Sequence, residues 1–330
     1  MNFAVIGTFW LSENFIKAIK LTSGASYFAQ YSRSIERARA FATKNGGAKC
    51  YDDLRTMALD KEIDAVYISS PNMTHYAYSK LFIEAGKHVF CEKPICINTR
   101  EYDELCALAD KNGVIYAEAM MNYHLPQLKR IKEKLYVAGD IVSARLDFSQ
   151  RSSKLERVKS GETVSTFDKA SCGGALLDLG VYPIYLAVEL FGCPKNISAF
   201  ARFYKSGVDI ADTVVLSYDG FDAVLTFSKL AESVIRSEII CREGCVTIGQ
   251  CAQLRKTGFT DARGDLESLY PEMFPEECMS FELMDFISYK HKENQEYYQR
   301  ARSRAREVLE ITEEIRRQIG YDISSDLFIK

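Results

Sequence analysis

The first third of the chain alternates between short apolar runs and segments whose apolar residues recur with helical spacing. An apolar run at residues 3–6 ends at Gly7, and the spacing of Phe15, Ile16 and Ile19 predicts a helix over residues 12–21. The same alternation predicts strands at 3–6, 26–31, 64–69, 89–91 and 114–117, and further helices through 39–41 and over 73–85 and 100–111. Strands that alternate with helices of about ten residues predict a doubly wound parallel sheet.

The pattern changes near Asn122. A helix is predicted over 125–137, a half-exposed alternating strand over 140–149, a polar loop over 150–169 and a long apolar helix over 175–191. Further strands are predicted at 196–204, 212–217, 223–228, 233–241 and 245–248. Successive strands joined by tight turns predict an α+β domain with a large, mainly antiparallel open sheet. The predicted fold class is therefore α/β, with domains at residues 1–121 and 122–330.

Composition narrows the function classes. The chain of 330 residues is 47% hydrophobic and carries a net charge of −3, which gives no electrostatic case for a nucleic-acid partner or an anionic membrane. No apolar run approaches the length of a membrane span, and the N-terminus lacks the basic segment and cleavage site of a signal peptide. These features predict a cytoplasmic protein that binds neither nucleic acid nor membrane.

Ten cysteines at irregular spacing fit a reducing compartment. The group closest to a metal-binding pattern is Cys241, Cys245 and Cys251. It lacks a C-x-x-C pair and a nearby histidine and lies in strand-like sequence. We predict buried thiols there and no metal site.

A strand followed by Gly7 and a helix is the setting of the dinucleotide fingerprint G-x-G-x-x-G. Only the first glycine is present, because Phe9 occupies the second position and Ser12 the third. Taken alone, the match is poor and favours an ordinary strand–helix turn. The candidate cofactor residues at this turn are Gly7, Thr8, Phe9, Trp10 and Leu11.

The end of the second predicted strand bears on the choice of nucleotide. Ser32 and Arg33 stand there without an acidic residue between Tyr31 and Ser34. An aspartate would bind a ribose 2′-hydroxyl, whereas serine and arginine can hydrogen-bond a 2′-phosphate. The pattern favours NADP, with NAD as the alternative, although Arg33 can also be read as a solvated arginine at a helix start.

A short apolar strand delivers Glu92, Lys93 and Pro94 into a turn. A residue before proline is pushed out of the helical region, and an X-Pro bond can be held in the cis form. Lys93 is thereby expected at the carboxyl edge of the sheet, where open α/β sheets bind ligands. Its ammonium can hydrogen-bond a substrate hydroxyl or a cofactor ribose. A solvated charged turn is the simpler alternative for these three residues alone.

Two further strings decide between these alternatives. They are Ser70-Pro71-Asn72-Met73-Thr74-His75 and Gly174-Ala175-Leu176-Leu177-Asp178-Leu179-Gly180-Val181-Tyr182-Pro183. With Glu92-Lys93-Pro94, in this order and spacing, the whole chain resembles the Gfo/Idh/MocA oxidoreductases, the family of glucose–fructose oxidoreductase and dimeric dihydrodiol dehydrogenase. The resemblance implies a nicotinamide cofactor on a Rossmann domain and a substrate site that faces the sheet of the second domain.

The resemblance also implies individual roles. Lys93 would contact both the cofactor ribose and the substrate hydroxyl, and Asp178 would orient the substrate. Tyr182 stands where many members carry a proton-transferring histidine, and a nearby lysine would lower the pKa of its phenol. The residues implied on the cofactor side are Ser70, Pro71, Asn72, His75, Glu92, Lys93 and Pro94.

Simpler interpretations exist for several of these residues. Tyr182 has apolar neighbours at helical spacing, as a core aromatic would, and Asp178 can be a buried helix residue bonded to a backbone amide. His75 is treated as a structural hydrogen-bonding residue and not as a catalyst. The family context favours functional roles for Tyr182 and Asp178.

The function that follows is hydride transfer between nicotinamide and a C–OH or C=O carbon of a sugar, polyol or related hydroxy compound. One alternative is a non-catalytic, cofactor-bound or ligand-sensing protein, suggested by Phe9, and another is an oxidoreductase of aromatic dihydrodiols. Relatives pair through the open face of the second sheet, so we expect a homodimer or a dimer of dimers. The apolar residues expected on that face are Val214, Leu216, Val224, Leu225 and Phe227.

Overall fold

The computed structural model describes residues 1–47, 49–235 and 237–323, which form two compact units. The first contains Met1–Met120 and Phe274–Ser303, and the second contains Met121–Met273 and Arg304–Ile323. The division expected from sequence differs in one segment, because it assigns residues 274–303 to the second domain. The last residues of the predicted second domain, 324–330, lie outside the described part of the chain.

A six-stranded sheet forms the first unit. Its strands are β1 (Asn2–Ile6), β2 (Ser26–Tyr31), β3 (Lys49–Tyr51), β4 (Ala65–Ile68), β5 (His88–Glu92) and β6 (Tyr116–Ala119). Its helices are α1 (Trp10–Leu21), α2 (Ile35–Asn45), α3 (Leu54–Leu59), α4 (His75–Glu84), α5 (Thr99–Asn112) and, from late in the chain, α10 (Pro275–Ser288). All strand pairs are parallel, in the order β3-β2-β1-β4-β5-β6. The predicted doubly wound parallel sheet is confirmed.

Three elements of this unit escape the sequence pattern. The strand β3 has only three residues and α3 only six, which is too short for a period to show. Helix α10 lies in a stretch for which the sequence pattern gives no prediction. The strand β6 begins at Tyr116, two residues later than predicted.

Aromatic side chains fill the core of the first unit. The rings of Phe15 and Tyr67 stack with their centroids 3.6 Å apart, and Phe3 meets Phe15 edge-on at 5.7 Å. Phe286 of α10 packs against Phe90 of β5, with the ring centroids 4.7 Å apart. Each of these five side chains is at most 1% exposed. Helix α10 therefore completes a core whose other members come from the first 90 residues.

An eight-stranded sheet forms the second unit. Its strands are β7 (Ile141–Ser149), β8 (Asn196–Phe203), β9 (Asp209–Ser217), β10 (Asp222–Ser228), β11 (Ser237–Cys241), β12 (Gly244–Ile248), β13 (Gly258–Asp261) and β14 (Leu266–Ser268). The accompanying helices are α6 (Met121–His124), α7 (Pro126–Ala138), α8 (Leu155–Lys159) and α9 (Val181–Phe191). The order is β14-β13-β12-β11-β7-β10-β9-β8, and only β7 with β10 is a parallel pair. The predicted mainly antiparallel sheet is confirmed. The last helix, α11 (Gln295–Ile319), begins in the first unit and ends in the second.

The apolar residues predicted for the open face of this sheet lie mostly on its covered face. Val214, Leu216, Leu225 and Phe227 are each at most 1% exposed, so they form the covered face. Phe227 lies against the helical segment that carries Gly180, since a Cβ added to this glycine would stand 2.7 Å from the ring. Placing these four residues on the open face was wrong, because alternation along a strand does not reveal which face is covered.

The polar segment 150–169 is more ordered than a loop. It contains α8, and its apolar residues Leu155, Val158, Val164 and Phe167 form a buried cluster with Ile210. Because most residues of the segment are polar, its few apolar residues show no helical or strand periodicity. The segment is thereby held against β9.

Among the described residues, one helical stretch, residues 169–191, has the length and apolar composition of a membrane span. Of its most apolar window, 78% is buried inside the protein, which is the behaviour of a core helix. The expectation that no segment reaches such a length was wrong, since the residues before the predicted helix start extend it.

We expect Phe286→Ala to lower the free energy of unfolding of the first unit by about 3–5 kcal/mol, because it leaves a cavity between Phe3 and Phe90. Phe274→Ala, at a side chain that is 70% exposed, is the matched control and should change stability by less than about 0.5 kcal/mol. Urea unfolding of both variants measures the difference. Equal effects would mean that α10 contributes little to this core.

Candidate functional site

The turn after β1 requires its glycine. Gly7 has φ +126°, and a Cβ added there would lie 2.6 Å from Ser69 Oγ and 2.9 Å from Ser12 Oγ. The hydroxyls of Ser12 and Ser69 are hydrogen-bonded at 2.9 Å. Gln30, fully buried, donates from Nε2 to the carbonyl of Gly7 at 2.7 Å and was not predicted from sequence. The β1–α1 turn is thus held close to the backbone of the neighbouring strand.

The first turn of α1 has exposed aromatic side chains. Phe9, the residue before the helix, is 42% exposed, and Trp10 is 64% exposed. Thr8 and Leu11 are half-buried. Phe9 provides no side-chain hydrogen bond to the helix start, so amide groups of this first turn have no capping side chain. A helix N-terminus of this kind favours an anionic group such as a pyrophosphate.

The end of β2 brings Ser32 and Arg33 to the same sheet edge. Ser32 is buried, and Arg33 is exposed. Burial raises the pKa of the Tyr31 phenol, and the nearby Arg33 guanidinium opposes that rise. Asp53 also approaches this strand end, but its carboxylate accepts a hydrogen bond from the amide of Thr56 at 2.6 Å and caps α3.

His75 links two of the candidate segments. It is 1% exposed, with Nδ1 2.8 Å from the carbonyl oxygen of Pro94 and Nε2 2.9 Å from that of Ser70. Burial lowers the pKa of His75, so near neutral pH the ring has one N–H and donates to one carbonyl at a time. The hydroxyls of Ser70 and Thr74 are hydrogen-bonded at 2.6 Å. His75 therefore fixes the segment of Pro71 and Asn72 beside the turn after β5.

The strand β5 ends at Glu92, and the Lys93–Pro94 peptide bond is cis. Glu92 is 7% exposed, and the hydroxyl of Tyr67 donates a hydrogen bond to its carboxylate. Burial raises the pKa of Glu92, while Tyr67 and the Lys93 ammonium oppose the rise. Lys93 itself is half-buried at the carboxyl end of the strand.

Two acidic residues that sequence reasoning left without a role lie near Glu92. Glu118 accepts a hydrogen bond from the amide of Ile95 at 2.9 Å. Glu282 of α10 is 1% exposed, and burial together with the Glu92 carboxylate raises its pKa well above the ordinary range. The raised pKa favours the neutral form of Glu282, which limits the negative charge buried beside Glu92.

In the second unit, Asp178 lies in a π-helical turn, Leu176–Gly180, that leads directly into α9. The buried carboxylate of Asp209 accepts a hydrogen bond from the amide of Leu176 at 2.6 Å. A Cβ on Gly174 would stand 2.0 Å from Asp209 Oδ1, and Gly174 has φ +123°. Gly174 thus allows the close approach of the Asp209 carboxylate, as Gly180 allows that of the Phe227 ring.

Asp178 is paired with a lysine that sequence reasoning missed. The ammonium of Lys229 forms an ion pair with the Asp178 carboxylate and lies 5.3 Å from the centroid of the Phe167 ring. Lys229 is 1% exposed, while 33% of the Asp178 side chain is accessible. The sequence does contain a sign of this pairing. Lys229 continues the alternation of Ala223, Leu225 and Phe227, whose side chains lie on the covered face of the sheet. A lysine at such a position predicts a buried partner.

Tyr182 stands one helical turn after Asp178. Its ring is half-buried and meets Phe148 edge-on with the centroids 5.5 Å apart, whereas Tyr185 is 2% exposed. The backbone carbonyl of Tyr182 accepts a hydrogen bond from Asn122 Nδ2 at 3.0 Å. A partly accessible ring distinguishes Tyr182 from the buried residues on either side of it.

Each unit therefore brings together its own set of predicted residues. In the first, the turn at Gly7, the pair Ser32 and Arg33, and the segments 70–75 and 92–94 all follow parallel strands at one sheet edge. In the second, Asp178 and Tyr182 follow one another around one helical segment. Within the described residues, no cluster of three or more His, Cys, Asp or Glu side chains is arranged to hold a metal ion.

Comparison with known proteins assigns both parts of the chain. The family described as "Oxidoreductase family, NAD-binding Rossmann fold" matches residues 1–120, and the GFO/IDH/MocA C-terminal domain matches residues 136–247. The scyllo-inositol 2-dehydrogenase (NADP(+)) of Bacillus subtilis (strain 168) is 37% identical over 327 residues, which cover 99% of each chain. The trans-1,2-dihydrobenzene-1,2-diol dehydrogenase of Oryctolagus cuniculus is 35% identical over 57% of this chain and 56% of its own.

Solved structures show the same fold. The 3-ketoreductase KijD10 of Actinomadura kijaniata, in complex with NADP and TDP-benzene, aligns with a TM-score of 0.82 at 21% identity, over 97% of this chain and 98% of its own. A levoglucosan dehydrogenase in complex with NADH and levoglucosan aligns with a TM-score of 0.82 at 18% identity, over 97% of both chains. With two family domains matched and a relative aligned along its whole length, the chain belongs to the GFO/IDH/MocA family of oxidoreductases.

Proposed function

We propose that the protein is an NADP-dependent dehydrogenase that transfers a hydride between nicotinamide and a C–OH or C=O carbon of a cyclic polyol or sugar. The observation that carries this proposal is the full-length similarity to the NADP-dependent scyllo-inositol 2-dehydrogenase of Bacillus subtilis. The partial similarity to dihydrodiol dehydrogenase makes an aromatic dihydrodiol the second candidate substrate. The test is oxidation of scyllo-inositol with NADP, followed by the absorbance of NADPH.

The residues at the carboxyl edge of the first sheet fit a dinucleotide. The uncapped start of α1 would take the pyrophosphate, with Gly7 providing the close approach and Thr8, Phe9, Trp10 and Leu11 lining it. Ser32 and Arg33 would take the 2′-phosphate by charge-assisted hydrogen bonds. The remaining cofactor-side residues would be Ser70, Pro71, Asn72, His75, Glu92, Lys93 and Pro94, with His75 acting only by holding the segment in place.

When bound, the cofactor supplies or accepts the hydride at its nicotinamide ring. We infer that Lys93 holds the reacting oxygen by donating a hydrogen bond and that Asp178 orients a neighbouring hydroxyl. Tyr182 would donate the proton to that oxygen when a ketone is reduced, and accept it when an alcohol is oxidised. The ion pair with the buried Lys229 would hold the Asp178 carboxylate in place for this role.

We further propose a homodimer, or a dimer of dimers, that buries the open face of the eight-stranded sheet. Half-buried Val215 and Val224 are cross-strand partners on this face, and the edge-strand residue Phe200 is 66% exposed. Apolar side chains of this kind, left accessible on a broad sheet, suit a self-complementary surface. We also infer a cytoplasmic location, because the irregular cysteine spacing lacks the pattern of a disulfide framework.

For the cofactor, we expect Arg33→Ala to weaken NADP binding by about tenfold or more and to leave NAD binding nearly unchanged, since only NADP has the 2′-phosphate. Binding can be followed by tryptophan fluorescence, because Trp10 is the only tryptophan in the chain and lies in the first turn of α1. Arg39→Ala, at an exposed arginine in the following helix α2, is the control. Equal losses for both nucleotides would contradict a role for Arg33 in choosing between them. Failure to bind either nucleotide would favour the ligand-sensing alternative.

For proton transfer, we expect Tyr182→Phe to lower kcat by about 10²–10⁴-fold while nucleotide binding and folding are retained. The ring volume is preserved and only the hydroxyl is removed. Tyr185→Phe removes a hydroxyl from the buried side of the same helix and should leave kcat unchanged. Steady-state kinetics with scyllo-inositol and NADP measures both variants. Full activity of Tyr182→Phe would mean that its ring serves only in packing.

For the assembly, we expect light scattering of the wild type to give a mass that is a multiple of 37.4 kDa. The double variant Val215→Glu, Val224→Glu places two like charges on the open face and should be a folded monomer. Tyr136→Glu, at a side chain that is 90% exposed on α7, is the control and should assemble as the wild type does. A wild type of 37.4 kDa at micromolar concentration would rule the dimer out.

A further inference from the structure

The polar segment 150–169 carries five basic side chains, and four of them are exposed. Arg151 and Lys159 both pair with Glu156, and Arg157 pairs with Glu162. Lys169 lies 5.8 Å from the centroid of the Tyr321 ring. Their contacts resemble those of ordinary solvated surface charges, which contribute little to specific binding.

Lys154 is the exception among the five. Its side chain is half-buried, and within residues 1–47, 49–235 and 237–323 its ammonium makes no hydrogen bond and no ion pair. Burial lowers the pKa of Lys154, and the nearby carboxylate of Asp178 opposes that shift. Lys154 is therefore close to the residue proposed to orient the substrate, yet it has no carboxylate of its own.

The backbone holds Lys154 in this place. The amide of Ser152 donates to the carbonyl of Lys229 at 2.9 Å, and the amide of Lys154 donates to Ser152 Oγ at 3.3 Å. Leu155 and Val158, on the helix that begins beside Lys154, are buried in the cluster with Ile210. Lys154 therefore lies at the start of a packed helix. A binding residue is positioned more precisely on such an element than on a loop.

The local charges leave the Lys154 ammonium unneutralised. Asp178 is the carboxylate that acts on the Lys154 ammonium, but it makes its ion pair with the fully buried Lys229, which the Asp209 carboxylate also approaches. A partly desolvated ammonium without a partner costs free energy unless an oxygen acceptor reaches it. Because 33% of the Asp178 side chain is accessible, a ligand can reach this neighbourhood.

We propose that Lys154 is a substrate-binding residue that donates a hydrogen bond to an oxygen of the substrate beside the group held by Asp178. This assignment rests on the proposed function. An ammonium donor next to a carboxylate acceptor recognises neighbouring oxygens of a polyol, one of which donates while the other accepts. The shared chemistry is an oxygen acceptor, which a neutral hydroxyl or a sugar-acid carboxylate can supply.

The experiment compares Lys154→Met with Lys159→Met in the full-length protein. Methionine keeps most of the apolar stem while removing the ammonium, and Lys159 is an exposed lysine on the same short helix. Steady-state kinetics with NADP are measured on scyllo-inositol and on glucuronate, and NADP affinity is measured by Trp10 fluorescence. We expect kcat/KM of Lys154→Met to fall by about 10–100-fold, mainly through KM, with NADP affinity unchanged. Lys159→Met should match the wild type.

The outcomes separate the two claims. A larger loss on glucuronate than on scyllo-inositol supports a carboxylate as the bound oxygen, and a loss on scyllo-inositol alone supports a hydroxyl. If all three proteins turn over substrate and KM of Lys154→Met stays within twofold of Lys159→Met, the assignment of Lys154 is overturned and the proposed function stands. If the wild type oxidises neither compound, the proposed function falls and the assignment falls with it.

Discussion

Full burial of the Lys229 ammonium is the constraint on which the second unit depends. Removing an ammonium from water costs free energy unless it is paired. Here Asp178, the nearby Asp209 carboxylate and the face of the Phe167 ring offset that cost. Replacing such a pair by apolar side chains is often neutral or stabilising, so stability alone does not explain it. Its value lies in fixing one carboxylate in a defined place.

Asp209 makes the same arrangement possible from the other side. It accepts a hydrogen bond from the amide of Leu176, and the absence of a side chain at Gly174 lets it come that close. Burial raises the pKa of its neighbour Asp212, so the two adjacent carboxyl groups carry fewer than two negative charges near neutral pH. One lysine can then serve both Asp178 and Asp209.

The sequence was informative wherever a long period repeats. Most strands and long helices, the parallel sheet and the antiparallel sheet follow from it, and Gly7, Gly174 and Gly180 mark close approaches that the structure contains. Short elements such as β3 have too few residues for a period. Alternation also cannot say which face of a sheet is covered, which is why Val214 and its companions were placed on the wrong side. The pairing of Asp178 with Lys229 joins residues 51 positions apart, and no local pattern encodes that.

The course of the chain has a consequence for its synthesis. The first unit is interrupted after Met120 and resumes at Phe274, so Phe286 reaches the ribosome exit only after the whole eight-stranded sheet has been translated. At about 5–20 residues per second, the core around Phe3, Phe15 and Phe90 would wait roughly 10–40 s for its last aromatic ring. During that interval a nascent chain exposes apolar surface on its N-terminal half. The core of the first unit is therefore completed by a segment that is synthesised long after the rest of that core.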